Sequence, residues 1–436
     1  MLELFSVLSF FFTVMLGLFA HSFAHILSIR RITIIGFYYY MWILMLMPLL
    51  FSPVSDEFTS RNGFQSFLAA SFAHPLFMLI GYLSMVMPQA GVVRQRFNGQ
   101  SLRVWSSLAQ TRRLVYYFAI ICSVIMFHQF ISLDKNPLFI MLSGGGDAVE
   151  LAYAREESFK LNRNFFTYIW HFNRMVFFPF TILVAFFMYY ITKNKKWLAV
   201  FVILLIFGAI NNAVSSALAP VALLGLLIML SYIRISKGFS TSAISVMLIL
   251  TLIFPVVVEY SYSSMQFSES MLYTLKKIFG RFSFETMDRT ISYFDVFPDY
   301  YDFLGGRTNA LFTLFNGEEV FNVQNYIFIN RLSTVHDHLL HGSANAHFIG
   351  YMYADFGLFG VAAASLIVGA IIGFIERKYY GFKNSVVVLA CYMITVTLFW
   401  KLMGTQPTTI LFSNGAILLL LMAALFSRKD RVGSFN

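Results

Sequence analysis

Stretches of about 20 mostly apolar residues recur along the whole chain, and that repetition limits its fold more than any other feature. A segment of about this length crosses the hydrocarbon core of a bilayer as a helix. Inside lipid, only helices and closed barrels satisfy every backbone donor and acceptor. The runs fall near residues 2–28, 32–52, 66–87, 114–133, 165–191, 197–212, 215–233, 242–262, 345–375, 385–402 and 409–426. They predict an all-α polytopic membrane protein with about eleven transmembrane helices. Residues 1–262 would carry the first eight, 263–344 a large loop capping the bundle, and 345–436 the last three and a tail. Only 12% of residues are charged, against about 25% in soluble domains. The first run has neither a basic leader nor a small-residue cleavage site, so it reads as a retained helix and not a signal peptide.

The formal net charge is +10, but its distribution says more than its size. Residues 29–31, 88–113, 192–196, 234–241, 376–384 and the tail from Ser427 hold 18 of the 31 Lys and Arg, with only two acids, Glu376 and Asp430. Basic short loops stay in the cytoplasm, which places the N-terminus outside and the C-terminus inside. No basic and aromatic stripe suggests a nucleic-acid partner. Cys122 and Cys391 lie within apolar runs and read as packing residues. Residues 197–233 are too long for one span and barely long enough for two. The turn-forming Asn211, Asn212, Ser215 and Ser216 favour two helices meeting at an outer turn, with a re-entrant pair as the alternative. Gly369 and Gly373 form a GxxxG, and Gly360 and Ala364 a second small pair; both predict close helix packing.

The outer side carries the residues that could do chemistry. In the 263–344 loop, SESMLYTLKKIF sets Met271, Leu272, Leu275, Ile278 and Phe279 opposite Lys276 and Lys277. This amphipathic piece, like FETMDRTISYF after it, suits lying on the membrane or capping the bundle. A glycine turn, GGRT, exposes Arg307. From Arg331 a histidine-rich loop end runs straight into a long apolar helix, and His347, Tyr351 and Asp355 follow at i, i+4 and i+8, the spacing of one helix face. A histidine and an aspartate at the mouth of a membrane helix are expensive to place. They lie either in the headgroup zone, at little cost, or in an active site at the membrane surface.

Arginines complete the set: Arg61, Arg155, Arg163, Arg174, Arg281, Arg289, Arg307 and Arg331. Arg174 falls inside a predicted span, in YIWHFNRMVFFPF. Guanidinium forks bind phosphate and diphosphate through paired charge-assisted bonds. The bland alternative is that Arg174 snorkels to the interface while loop arginines pair with acids such as Glu156, Glu157 and Asp288. HDHLLH, residues 336–341, matches no zinc spacing and reads as a solvated helix end. No metal and no cofactor are expected.

From Gly342 to Gly373 the chain resembles bacterial oligosaccharide repeat-unit polymerases, the Wzy-type O-antigen polymerases of lipopolysaccharide assembly. The resemblance rests on a small-Asn pair followed by Phe348, Gly350, Tyr353, Asp355, Phe356, Gly357 and Gly360, on the large loop with GGRT before it, and on the span pattern. It implies a GT-C-like membrane glycosyltransferase facing the periplasm of the bacterial inner membrane. Such an enzyme moves a growing glycan from undecaprenyl diphosphate to the non-reducing end of a new lipid-linked repeat unit, working with a separate chain-length regulator. In that setting His347 is the first choice for the base that takes the acceptor proton and Asp355 the second. Arg155, Arg163, Arg174, Arg289, Arg307, Arg331 and Tyr351 would hold diphosphate and sugar. Relatives often carry a Gly-Ser-Arg-like element at the middle outer turn; here that turn, from Asn211 to Ser216, has no arginine, so another must substitute. An O-antigen ligase or another exopolysaccharide polymerase shares the same layout. A transporter or flippase for lipid-linked sugars is disfavoured by the lack of two similar halves and by the outward skew of intramembrane charge.

Overall fold

The computed structural model describes residues 2–24, 32–50, 58–87, 108–133, 165–213, 218–236, 267–332, 344–382 and 385–432, with Pro137, Ile140, Ala154 and Val256. The regular structure among these residues is helical, and no strand occurs among them. The helices are α1 (Leu2–Ala24), α2 (Ile34–Leu46), α3 (Phe64–Val86), α4 (Leu108–Ser132), α5 (Phe165–Thr192), α6 (Lys195–Ala213) and α7 (Leu218–Ile235). There follow α8 (Phe267–Phe282), α9 (Phe284–Val296), α10 (Ala310–Asn316), α11 (Val323–Ile327), α12 (Phe348–Gly381), α13 (Val386–Phe399) and α14 (Ala416–Val432). Six helices among the described residues are long and apolar enough to cross a membrane, and four shorter apolar helices accompany them. The protein is therefore an all-α protein of multi-pass membrane character. The expected span at 242–262 lies, apart from Val256, outside the described residues.

The chain divides into two compact units. The first comprises Met1–Gly99, Lys277–Tyr380 and Leu398–Leu411. Its axis is the pair α3 and α12, which meet backbone to backbone. A Cβ placed on Gly369 would lie 2.0 Å from the Met78 carbonyl oxygen, one on Gly373 2.7 Å from that of Tyr82, and one on Gly81 2.0 Å from that of Leu366. The GxxxG is thus a close-packing seam, as its spacing predicts. The Gly360 pair differs. Gly360 is needed inside α12 itself, where its Cβ would lie 2.4 Å from the Met352 carbonyl oxygen.

The C-terminal end of α12 also departs from expectation. Glu376, expected at the start of a cytoplasmic loop, is buried within the helix, which runs on to Gly381. Its carboxylate accepts from the Ile34 backbone N–H at the start of α2 and from the Tyr82 hydroxyl at 2.5 Å. A buried carboxylate survives only with such partners.

Within the 263–344 stretch, α8 turns Ser270 and Thr274 inward and leaves Met271, Leu272 and Tyr273 exposed. Its open face is amphipathic, because Glu269 and Lys276 are exposed beside these apolar side chains, a mixture that suits an interfacial helix. FETMDRTISYF behaves differently: as α9 it packs on α2 and α3, with Met287, Ile291, Tyr293 and Phe294 buried.

The second unit comprises Gln100–Lys276, Gly381–Thr397 and Phe412–Asn436. Its core is α5 against α6, joined by Lys193 in the left-handed region (φ 53°) and by Asn194, whose side chain accepts from the Lys196 N–H at 2.9 Å. Residues 195–235 form two helices, α6 and α7, and the link at 214–217 is outside the described residues. Cys122 and Cys391 are free and buried, in keeping with packing roles.

Candidate functional site

The helix expected at 345–375 begins at Phe348, so His347 precedes it while Tyr351 and Asp355 ride on it. The three side chains end on three different sets of partners.

Asp355 anchors the glycine turn. One carboxylate oxygen accepts from the Thr308 N–H at 3.1 Å, and the other makes a short bond with the Thr308 hydroxyl. The Leu304 N–H donates to the Ala354 carbonyl (2.9 Å) and the Gly305 N–H to the Asp355 carbonyl (3.0 Å). Those two carbonyls are available because α12 is broken at Gly357 (φ 63°, ψ −154°), a backbone region essentially confined to glycine. From the other side, Gln406 Nε2 donates to the Thr308 carbonyl at 2.7 Å, and Asn309, the N-cap of α10, donates to Thr408 Oγ1 at 3.1 Å. Arg307 is presented from this clamped turn. Its Nε lies 3.3 Å from Glu318 Oε2, and its guanidinium lies 5.9 Å from the centre of the Phe321 ring.

Tyr351 accepts from Gln324 Nε2 at 2.5 Å and packs on Tyr293, with ring centres 5.2 Å apart. The Tyr293 hydroxyl donates to the Ala344 carbonyl at 2.9 Å. Burial pushes the Tyr293 hydroxyl well above the usual tyrosine range, keeping it a donor. Together these tyrosines fix the small-Asn segment that leads into α12.

His347 is fully buried in a polar chain that links α12 to α2 and α3. Its Nδ1 accepts from the Ile349 N–H at 3.3 Å, which puts the proton of a neutral ring on Nε2, facing the Tyr38 hydroxyl at 2.5 Å. Tyr38 then donates to His74 Nε2 at 2.7 Å, and His74 Nδ1–H faces Ser365 Oγ, also at 2.7 Å. Ser365 closes the chain on the Val361 carbonyl at 2.6 Å. Trp42 covers both imidazoles, with centroid distances of 4.6 and 4.7 Å. Every proton in this chain has one consistent place. Tyr38→Phe strands two imidazole nitrogens at once, a loss of about 2–4 kcal/mol. The expected result is a lower unfolding temperature in detergent with unchanged expression; an unchanged midpoint would show that the chain contributes nothing to stability.

The other expected arginines divide. Arg155 and Arg163 lie outside the described residues, as do residues 336–341, and Arg331 lies on the π-helical turn Phe328–Leu332. Arg289 pairs with Glu285 one turn away at 2.9 Å, an exposed pair of little energetic weight. Arg174, in the second unit, lies in the π-helical turn Asn173–Phe177 inside α5, half-buried, with one terminal nitrogen 3.5 Å from His171 Nδ1. His171 Nε2 faces Asn414 Oδ1 at 3.0 Å. Single π turns inside helices often mark functional positions.

A further polar centre among the described residues of the first unit gathers around Arg61, which in the sequence is one outer arginine among eight. Its guanidinium donates to Asp295 Oδ2 from Nε (2.7 Å), to Asp288, and to Ser292 Oγ (2.8 Å). Asp295 also accepts from the Gly63 N–H at 2.9 Å. These partners stand more than 220 positions apart in sequence, and no local pattern announces them. Beside them opens a cleft of about 430 Å³ lined by Ser60, Arg61, Asn62, Asp288, Ser292, Asp295 and Tyr300. Among the described residues, no group of three or more His, Cys, Asp or Glu is disposed to hold a metal ion. Comparison of the chain with protein-family models, with curated proteins and with solved structures returned no match.

Proposed function

We propose that this protein is a membrane glycosyltransferase of the oligosaccharide repeat-unit polymerase class. Its donor would be a glycan on undecaprenyl diphosphate and its acceptor a lipid-linked repeat unit. Transfer would take place at the periplasmic face of the bacterial inner membrane, with the N-terminus periplasmic, the C-terminus cytoplasmic and a separate chain-length regulator as partner. One observation supports this above the rest. The two sequence elements on which the resemblance rests, the Tyr-x-Asp-Phe-Gly-x-x-Gly segment and the GGRT turn, meet directly through Asp355 and Thr308, 47 positions apart.

The chemistry follows from what these groups can do. A diphosphate leaving group gains negative charge as its bond to the sugar breaks, and preorganised guanidinium donors stabilise that charge. Arg307, held on a clamped turn, is the first assignment for this role. Arg174 is the second, and Arg155, Arg163, Arg289, Arg331 and Tyr351 are assigned as further phosphate or sugar ligands. His347 and Asp355 are the assigned candidates for the base. Each acts as one only when substrate displaces a present partner, the Ile349 N–H or Thr308. The chain's 51 phenylalanines supply apolar surface of the kind that polyprenyl tails require.

Complementation of a strain lacking the gene tests this. Wild type is expected to restore a lipopolysaccharide ladder. Arg307→Ala and Arg174→Ala, at equal membrane levels, are expected to leave core plus one repeat. Free lipid-linked polymer with bare core in the null strain would identify a ligase instead. Lipid-linked repeats trapped on the cytoplasmic side would identify a flippase.

A further inference from the structure

We propose that the cleft between the Ser60–Asn62 turn and α9 is a saccharide subsite that takes an uncharged, hydroxyl-rich ring. Its volume of about 430 Å³ falls low in the range of about 300–1,000 Å³ typical of small-molecule sites. That suits one or two sugar rings and is too small for a polyprenyl tail.

The lining chemistry selects the ligand. One guanidinium against two carboxylates leaves the cleft with a net charge of −1. A phosphate or diphosphate, whose oxygens are mainly acceptors and carry negative charge, is repelled there. A sugar hydroxyl both donates and accepts, so it needs an acceptor and a donor side by side. The cleft supplies them. Arg61 occupies only one oxygen of Asp288, leaving the other for a hydroxyl donor, and the exposed Asn62 amide offers both a donor and an acceptor. Tyr300, 62% exposed, presents an aromatic face at the rim, on which the C–H face of a pyranose can lie.

The floor of the cleft is also held in place before any ligand arrives. Asp295 is almost fully buried, pinned by Arg61 at 2.5 Å and by the Gly63 N–H. The chain at Gly63 lies so close to α9 that a Cβ there would meet the Phe294 carbonyl carbon at 2.2 Å. Polar groups fixed in advance lower the ordering cost of binding. Sugar binding by this cleft stands independently of glycosyl transfer; that the bound ring belongs to a lipid-linked repeat unit rests on the polymerase function.

Saturation-transfer NMR on the full-length protein in detergent tests the proposal, with glucose, galactose, mannose, N-acetylglucosamine and rhamnose as probes and inorganic pyrophosphate as competitor. Asn62→Ala and Tyr300→Ala serve as variants because both side chains are exposed and lie outside the Arg61 ion pairs. At least one sugar is expected to bind wild type. Each variant should weaken that binding about tenfold, a loss of one well-made contact, with an unchanged elution profile and unfolding temperature. Pyrophosphate should not displace the sugar. The proposal is overturned if none of the five sugars binds, if both variants bind as wild type does, or if pyrophosphate competes. Failure of the polymerase function is read separately: wild type then restores no ladder in the null strain, whatever the sugar-binding result.

Discussion

Gly369→Ala is expected to destabilise the folded protein strongly. The new methyl carbon would lie 2.0 Å from the Met78 carbonyl oxygen and 2.8 Å from its carbonyl carbon, both backbone atoms of α3 that cannot swing aside. An ordinary C···O contact is about 3.3 Å, so α3 and α12 must move apart by more than an ångström. Helices in lipid are held together by van der Waals contact and polar links, without a hydrophobic drive. Separation therefore weakens everything strung across the same seam: the neighbouring Gly373 and Gly81 contacts, the bond from His74 to Ser365, and the bond from Tyr82 to Glu376. Overpacking alone costs about 3 kcal/mol at a site that cannot relax. A fall of about 10 °C in unfolding temperature is the matching scale. Fluorescence-detected size exclusion after heating in detergent measures it. Gly280→Ala, where the added methyl meets no described atom within 4 Å, is the control and should hold or rise slightly. A Gly369→Ala protein as stable as wild type would contradict the packing described.

Asp355→Ala carries the second large effect. It removes both acceptors of Thr308 and leaves the Thr308 N–H facing a space without a partner. Hydrogen bonds to a charged group contribute about 1.5–3 kcal/mol each, so the GGRT turn should detach locally while the helices persist. Trypsin reports this directly, because it cuts after arginine and Arg307 precedes Thr308. Cleavage at 307–308 is expected to be at least tenfold faster than in wild type, as an opening cost of about 1.4 kcal/mol or more is lost. Polymer yield in the null strain should fall about 100-fold at equal membrane level, as misplacement of a positioned group does. Asp355→Asn, which retains one acceptor oxygen, should be milder in both assays. Wild-type ladders from Asp355→Ala with rapid cleavage would separate the turn from the activity.

The physical reason that so much of the fold is visible in the sequence is the bilayer requirement itself. A segment that must satisfy its own backbone in lipid has to be helical and about 20 apolar residues long. Outside 242–262, each expected span overlaps a helix, the last one beginning at Ala416 after a break at Gly415, and six helices meet the length and hydropathy needed to cross. The GxxxG was equally legible, because only backbone contact between helices calls for that spacing. Glu376 was not legible: its partners, Ile34 and Tyr82, lie about 300 positions away, and alone it resembles a loop acid. The same limit hid the partners of His347. Its unusual position was apparent, but Tyr38 and His74 are unremarkable residues within apolar runs. Arg61 and its carboxylates belong to this class too, as does the break in α12, where only the Gly357 in the Asp-Phe-Gly segment hints at a positive φ. Local pattern declares helices and seams; pairings between distant polar residues need the fold.

Reconstitution tests the central claim most directly. The purified protein, in liposomes with chemically defined undecaprenyl-diphosphate-linked repeat units and no other enzyme, is expected to produce glycans of two or more repeats on one lipid. It should release undecaprenyl diphosphate in equal number to the linkages formed, as read by mass spectrometry, with Arg307→Ala strongly reduced. Repeat units that stay monomeric in the presence of folded wild-type protein, or that only change leaflet, would contradict glycosyl transfer as its function.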